Sequence, residues 1–226
     1  MLRTSVKLAA AALAAGAAVA ACGPVQLGAA ATTSSTRISS AAVAAQVANL
    51  SAAYQADRAE LQLSLTTADL PRQVLSWLLR FQVRDRLAQR SGLTITPADE
   101  QQALATLAAA IRQQSPSATL AEVAVANSIP PDLLPQLGRY QAVQTAVLAR
   151  LDGGKTPAAA AAQQALQAKF TTSQCQAARS LGIRVNPQYG QLDYAQIAVV
   201  ATPSTLSAGS SPAPAVTPAP QLTPRC

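Results

Sequence analysis

Apolar positions recur at helical spacing along most of this chain. Val43, Val47, Leu50 and Tyr54 fall at i, i+4, i+7 and i+11, on one face of a helix. The pattern predicts a first helix opened by Arg37-Ile38-Ser39, with Ser39 or Ser40 as N-cap, running to about Glu60. Residues 61–69 break it. Asp69 or a neighbour then caps a second helix with Pro71 in its first turn. This is the most apolar helix, carrying Val74, Leu75, Leu78, Leu79, Phe81 and Leu87, and it holds Trp77. Arg72, Arg80, Arg84 and Arg90 form its other face, and Gly92 ends it in the left-handed position after the last turn.

The clearest local signal follows. Thr96 is placed to accept a hydrogen bond from the backbone of Asp99, Pro97 suits the first helical position, and Asp99 and Glu100 bring negative charge to the positive helix end. A third helix therefore runs from Pro97 through Leu104, Leu107 and Ile111 and stops before Ser115-Pro116. A short helix carries Leu120, Val123 and Ala124. Pro130-Pro131-Asp132 starts another, with Leu133, Leu137, Tyr140, Val143, Val147 and Leu151, closed by Asp152-Gly153-Gly154. A last helix begins near Pro157 and runs through an Ala/Gln-rich stretch to about Leu181. Ile183 to Gly190 reads as extended or turn-like, and Tyr194 to Val200 as a short strand or a segment packed on the helices. The fold class expected from these elements is an all-α, multi-helix bundle.

The two ends differ from the middle. Residues 1–21 have a charged start with Arg3 and Lys7, an apolar run from Leu8 to Val19, and small residues before a cysteine, the parts of an export signal. Val19-Ala20-Ala21-Cys22 resembles the bacterial lipobox, which implies attachment of diacylglycerol to the Cys22 thiol and cleavage before it. Residues 22–36 show no amphipathic period and are expected to be the lipidated cysteine and a flexible tether. The helical domain is expected over 37–200. Residues 201–226 hold six Pro and eight Ser or Thr and are expected to be a disordered tail. In an oxidising compartment the remaining thiols, Cys175 and Cys226, are candidates for one disulfide.

Composition narrows the chemistry. Among 226 residues there is no histidine, which removes the Ser-His-Asp and Cys-His triads, the imidazole base and the common metal sites. Aromatics make up 3%, too few for the stacking platforms of single-strand nucleic-acid binders. Net charge is +7, and +5 without the two basic residues of the signal, a mild excess with no run of four cations. The carboxylates show no pairing beyond helix capping and solvation. No enzyme activity, cofactor, metal or nucleic-acid partner is expected.

The stretch from about Arg37 to Gly190 resembles the N-terminal domain of SurA-type chaperones, and particularly the lipoproteins of high-GC Gram-positive bacteria that carry it. Five segments carry the likeness: Arg37-Ile38-Ser39, Val74-Leu75-Ser76-Trp77-Leu78-Leu79, Ala88 to Glu100 with its Gly92-Leu93-Thr94-Ile95-Thr96 junction, Ile129-Pro130-Pro131-Asp132, and Gly182 to Gly190 with Val185-Asn186-Pro187-Gln188-Tyr189. Ser128 and Gln188 depart from the family's Gly and Arg. The parvulin isomerase domain of related foldases has no room between Leu151 and Pro157, and its histidines are missing. The resemblance thus implies a SurA N-terminal-like helical holder without isomerase activity. It would be lipid-anchored on the outer face of the cytoplasmic membrane and would bind exported or unfolded polypeptides in a groove between helices. Trp77, Phe81 and Tyr140 are the candidate groove residues, and each also fits ordinary bundle core. The competing reading is an adaptor lipoprotein that docks one specific cell-envelope partner.

Overall fold

The computed structural model describes residues 28–56, 67–154 and 159–202. Six helices dominate: α1 (Ser40–Ala56), α2 (Leu70–Arg90), α3 (Pro97–Gln114), α4 (Leu120–Ala126), α5 (Leu134–Leu151) and α6 (Ala160–Ser180). Their local causes are those written in the chain. The Ser39 hydroxyl accepts the Ala42 N–H at 3.0 Å to cap α1. Gly92, at φ +61°, closes α2. Thr96 and Asp99 form the expected reciprocal capping box, and Thr119 and Glu122 form a second one that starts α4. Asp69 does precede α2, but its carboxylate pairs with Arg72 instead of capping a backbone N–H.

The fold is mostly helical, consistent with the all-α class, and carries short strands among the described residues, of which the sequence offered only the one within Tyr194 to Val200. Residues 28–36 lie in the stretch expected to be tether. They instead contribute β1 (Ala29–Thr32), the central strand of a three-stranded antiparallel sheet between β2 (Arg37–Ser39) and β3 (Arg184–Val185). Ala29, Ala30 and Ala31 are all buried. A strand covered on both faces has no polar alternation, so three alanines in a row gave no periodic signal. Thr33 to Thr36 form the connecting turn, with the Thr33 hydroxyl accepting the Thr36 N–H at 3.0 Å. The domain therefore starts at least nine residues before Arg37, and Arg37-Ile38-Ser39 is strand rather than the opening of the helix. The second sheet is a hairpin of β4 (Gln191–Asp193) and β5 (Ala198–Val200), within the segment read as strand or packing element.

The segment Gly182 to Gly190 has a structural task. Val185 pairs with Ala31, and Asn186 clamps β1 twice: its N–H donates to Ala30 O and its Nδ2 to Ala29 O, each at 2.9 Å. Gly190 is required by both conformation and space, since it sits at φ +120° and an added Cβ would lie 2.1 Å from the Val200 carbonyl oxygen.

Helix α2 is the hub. It packs against α1, α5, α6 and β5, and Val74, Leu75, Leu79 and Val83 are fully buried. Each such side chain contributes about 1.5–3 kcal/mol of burial. Ser76, on the same helix, donates to Arg72 O at 2.7 Å and accepts the Val199 N–H at 2.8 Å, while Arg80 Nε donates to Ile197 O at 3.1 Å. These bonds hold the β4–β5 hairpin on α2. One core cluster joins α1, α2, α6 and the sheets; a second gathers Phe81, Ala124, Ile129, Leu133 and Leu137 under α4 and α5. No helix among the described residues is long and apolar enough to cross a membrane.

Candidate functional site

The three aromatic residues singled out in the sequence do come together. Trp77 and Phe81 lie one turn apart on α2, and Tyr140 faces them from α5; all three ring centroids are 5.9 Å apart. They form a packed cluster with their polar atoms engaged. Trp77 Nε1 donates to Asn127 O at 2.9 Å, and the Arg80 guanidinium covers the indole at 4.8 Å. Phe81 is buried, and the rings belong to the second core cluster.

Beside them stands Arg84, only 3% exposed. Its guanidinium is sandwiched between the rings of Tyr140 (4.2 Å) and Phe170 (4.4 Å), and Nη2 donates to Tyr140 Oη and Gln144 Oε1, each at 3.0 Å. Nε and Nη1 are buried without a hydrogen-bond partner. Burial pushes the Arg84 pKa down, partly countered by Tyr140; Arg80 is lowered for the same reason.

An open apolar surface lies next to this cluster, between α3 and α5. Its cleft of about 570 Å³ is lined on α3 by Ala103, Thr106, Leu107 and Ala110, and on α5 by Ala142, Thr145, Ala146 and Ala149. These fall at i, i+3, i+4 and i+7 on each helix, so each lining set is one helix face. Alanine keeps the floor low and apolar, and Gln102, Gln141 and the two threonines bring amide and hydroxyl groups to the lining. Leu107 belongs to both the cleft and the aromatic cluster. Asp99 is the one charged residue of the lining, and its carboxyl is held below its ordinary range by the Thr96 backbone N–H and then by the Thr96 hydroxyl. No lining residue is a nucleophile activated by a base.

Two features fix the width of the cleft. Gly138 on α5 lets α3 approach closely, and Arg139 bridges three helices, reaching Asp85 of α2 at 2.6 Å and Glu100 of α3 at 3.0 Å. Those bonds raise the Arg139 pKa. Helix α3 has no fully buried residue, so its position depends on this seam. The sequence carried a signal for the cleft in the small residues repeating along one face of two consecutive long helices; the reading that favoured large aromatics passed over it.

Of the remaining sequence-named residues, Cys22, Val19, Ala20, Ala21 and Cys226 lie outside the described residues. Cys175 is buried on α6 and disulfide-bonded. No cluster of three metal-ligating residues occurs among the described residues. Protein-family models, curated proteins and solved structures give no match to this chain.

Proposed function

We propose that this chain is an extracytoplasmic, lipid-anchored holder that binds extended or unfolded exported polypeptides in the α3–α5 cleft and performs no isomerase chemistry. The observation that carries this reading is the cleft itself: an apolar alanine floor bordered by glutamine amides and threonine hydroxyls. Such a surface can accept side chains of many sizes while satisfying the backbone amides of a strand laid along it. The resemblance of Arg37–Gly190 to SurA-type chaperone domains supports the same reading, and the Val19-Ala20-Ala21-Cys22 motif supports the anchor.

The bonded state of Cys175 bears on the anchor. Only Cys22 and Cys226 are available as intrachain partners. A thiol consumed as a thioether cannot form a disulfide, so diacylglycerol on the Cys22 sulfur assigns the partner to Cys226. Peptide mapping under non-reducing conditions tests this: a Cys175–Cys226 crosslink is expected, and a Cys175–Cys22 crosslink would sink the anchor.

Client binding is tested by suppression of aggregation of a reduced, unfolded substrate at equimolar ratio. Thr106 and Ala149 are exposed and line opposite sides of the cleft, so T106K/A149K fills it while changing stability by no more than about 0.5 kcal/mol per site. Suppression by the unmodified chain and its loss in the double variant are expected. No suppression, or equal suppression by both, overturns the reading.

A further inference from the structure

We infer that the pocket between the last turns of α2 and α5 is a carboxylate site at one end of the α3–α5 cleft, taking the chain terminus or an acidic side chain of the bound polypeptide. The inference rests on the client-binding reading of the cleft and adds to it a charged contact and a direction for the bound strand.

The pocket, of about 530 Å³, is lined by Arg90 and Ser91 at the end of α2, Val147, Arg150 and Leu151 of α5, and Ser173 of α6. Its two guanidiniums are uncommitted. Arg72 and Arg139 are paired with carboxylates, and Arg80 and Arg84 lie over aromatic rings. Arg90 and Arg150 are exposed and have no side-chain hydrogen bond or ion pair among the described residues. They nevertheless converge. The Arg150 guanidinium reaches from α5 to the end of α2, with Nη1 4.0 Å from the position of a Gly92 Cβ. No acid is part of the lining. Two cations that share one concavity repel each other, and an anion between them removes that repulsion.

The helix ends do not supply that anion. Arg90 and Arg150 stand in the last turns of their helices, where each C-terminus carries about −0.5 of a charge. Two guanidiniums therefore leave about +1 in the pocket after both helix ends are included. Asp152, just past α5, is offset by Lys169, which stands one turn before Ser173 on the same face of α6. Planar guanidiniums select carboxylate, which each can hold through two parallel hydrogen bonds. The Ser91 hydroxyl, without a partner among the described residues, is a further donor, while Ser173 Oγ is spent on Lys169 O at 2.9 Å. Behind the charges, buried Val147 and half-buried Leu151 form an apolar wall. Such a wall strengthens the pairing and gives the apolar stem of a terminal residue a surface to pack on.

The position ties the pocket to the cleft. Arg150 follows Ala149 and stands one turn past Ala146, both of which line the cleft, and Gly92 lies two residues before Thr94 at the same end. A strand lying in the cleft meets the arginines there. With its C-terminal carboxylate at that end, it runs in the same direction as α5.

The test follows fluorescence anisotropy of a labelled short Ala/Gln/Leu peptide with the full chain. Three forms are compared: a free C-terminus, its amide, and an amide with Glu as its last residue. An acid should bind at least about tenfold more tightly than the plain amide. That gain for the free terminus alone assigns chain termini, and the same gain for the Glu amide assigns acidic side chains. R90Q/R150Q, at two exposed positions, should abolish the gain. R90K/R150K should keep only part of it, because lysine lacks the planar fork. Equal affinity of all three peptides, or a gain that survives R90Q/R150Q, overturns the site. Failure of the cleft reads differently: no peptide then binds, or T106K/A149K leaves peptide binding unchanged. The pocket is then read alone, from the side-chain Nε–H signals of Arg90 and Arg150 during titration with N-acetyl-leucine and with its amide. Shifts of both signals by the acid only support the site. No shift, or equal shifts at exposed Arg112 of α3, overturn it.

Discussion

Leu104 of α3 rests directly on Gly138 of α5, where an added Cβ would stand 2.8 Å from Leu104 Cγ and 2.9 Å from the Glu100 backbone oxygen. The second of these contacts is with main chain, so no rotamer change relieves it. Gly138→Ala should therefore push α3 outward and lower stability by about 1–3 kcal/mol, offset by up to about 1 kcal/mol from alanine's better helix propensity. Denaturant midpoints give the net value. Amide exchange should rise in α3 before it rises in α2, because α3 has no fully buried side chain of its own to hold it.

Arg84 is a buried cation that faces two aromatic rings and no carboxylate partner among the described residues. Replacing it with an apolar side chain of similar length removes the desolvation cost of the charge and of its two unpartnered nitrogens. Arg84→Met should raise stability by about 1–4 kcal/mol. Arg84→Ala should lower it instead, by leaving a cavity between α2, α5 and α6. Thermal unfolding of the two variants separates them; destabilisation by both would mean that the ring sandwich outweighs desolvation.

The Thr96–Asp99 capping box makes α3 sensitive to acid. Hydrogen bonds from Thr96 to the ionised carboxylate hold the Asp99 pKa below its ordinary 3.8. A group depressed in the folded state stabilises above its unfolded pKa and loses that contribution as pH falls through the folded one. The contribution is therefore complete above about pH 5 and fades as the pH falls below that. Thr96→Ala should cost about 1 kcal/mol at neutral pH and move the Asp99 carboxyl back up toward its ordinary range. Denaturant midpoints at neutral pH read the first effect, and an NMR titration of the Asp99 side chain reads the second.

Asn186 staples the first strand to the third. Asn186→Ala removes the donor to Ala29 O while sparing the backbone bond to Ala30 O. The buried carbonyl left behind should cost about 1–3 kcal/mol. The loss should show as faster exchange in residues 29–32, with α3 and α5 unchanged.

How much of this was legible in the chain follows from which forces write locally. Capping and periodicity act within four residues, so Thr96, Gly92 and the faces of α2 and α5 were readable to within a turn. The sheet was not, because β1 joins partners at Arg37 and, across the whole domain, at Arg184. Its three alanines look the same in a strand as in a tether. The aromatic cluster was readable as a meeting of Trp77, Phe81 and Tyr140, though its rings are spent on one another and on arginine. The cleft depends on the separation of two helices, and that separation is set by the missing side chain of Gly138 and by the reach of Arg139, neither of which leaves a periodic trace.

The pairing of residues 29–32 with residues 184–185 also sets an order of events. A strand near the start of the domain cannot find its third-strand partner until about 150 further residues have been synthesised. Contacts of such long sequence separation form late and slowly. The first strand of the described domain to be made is thus the last to be locked in place. During that interval the helices can assemble locally while the entry strand waits.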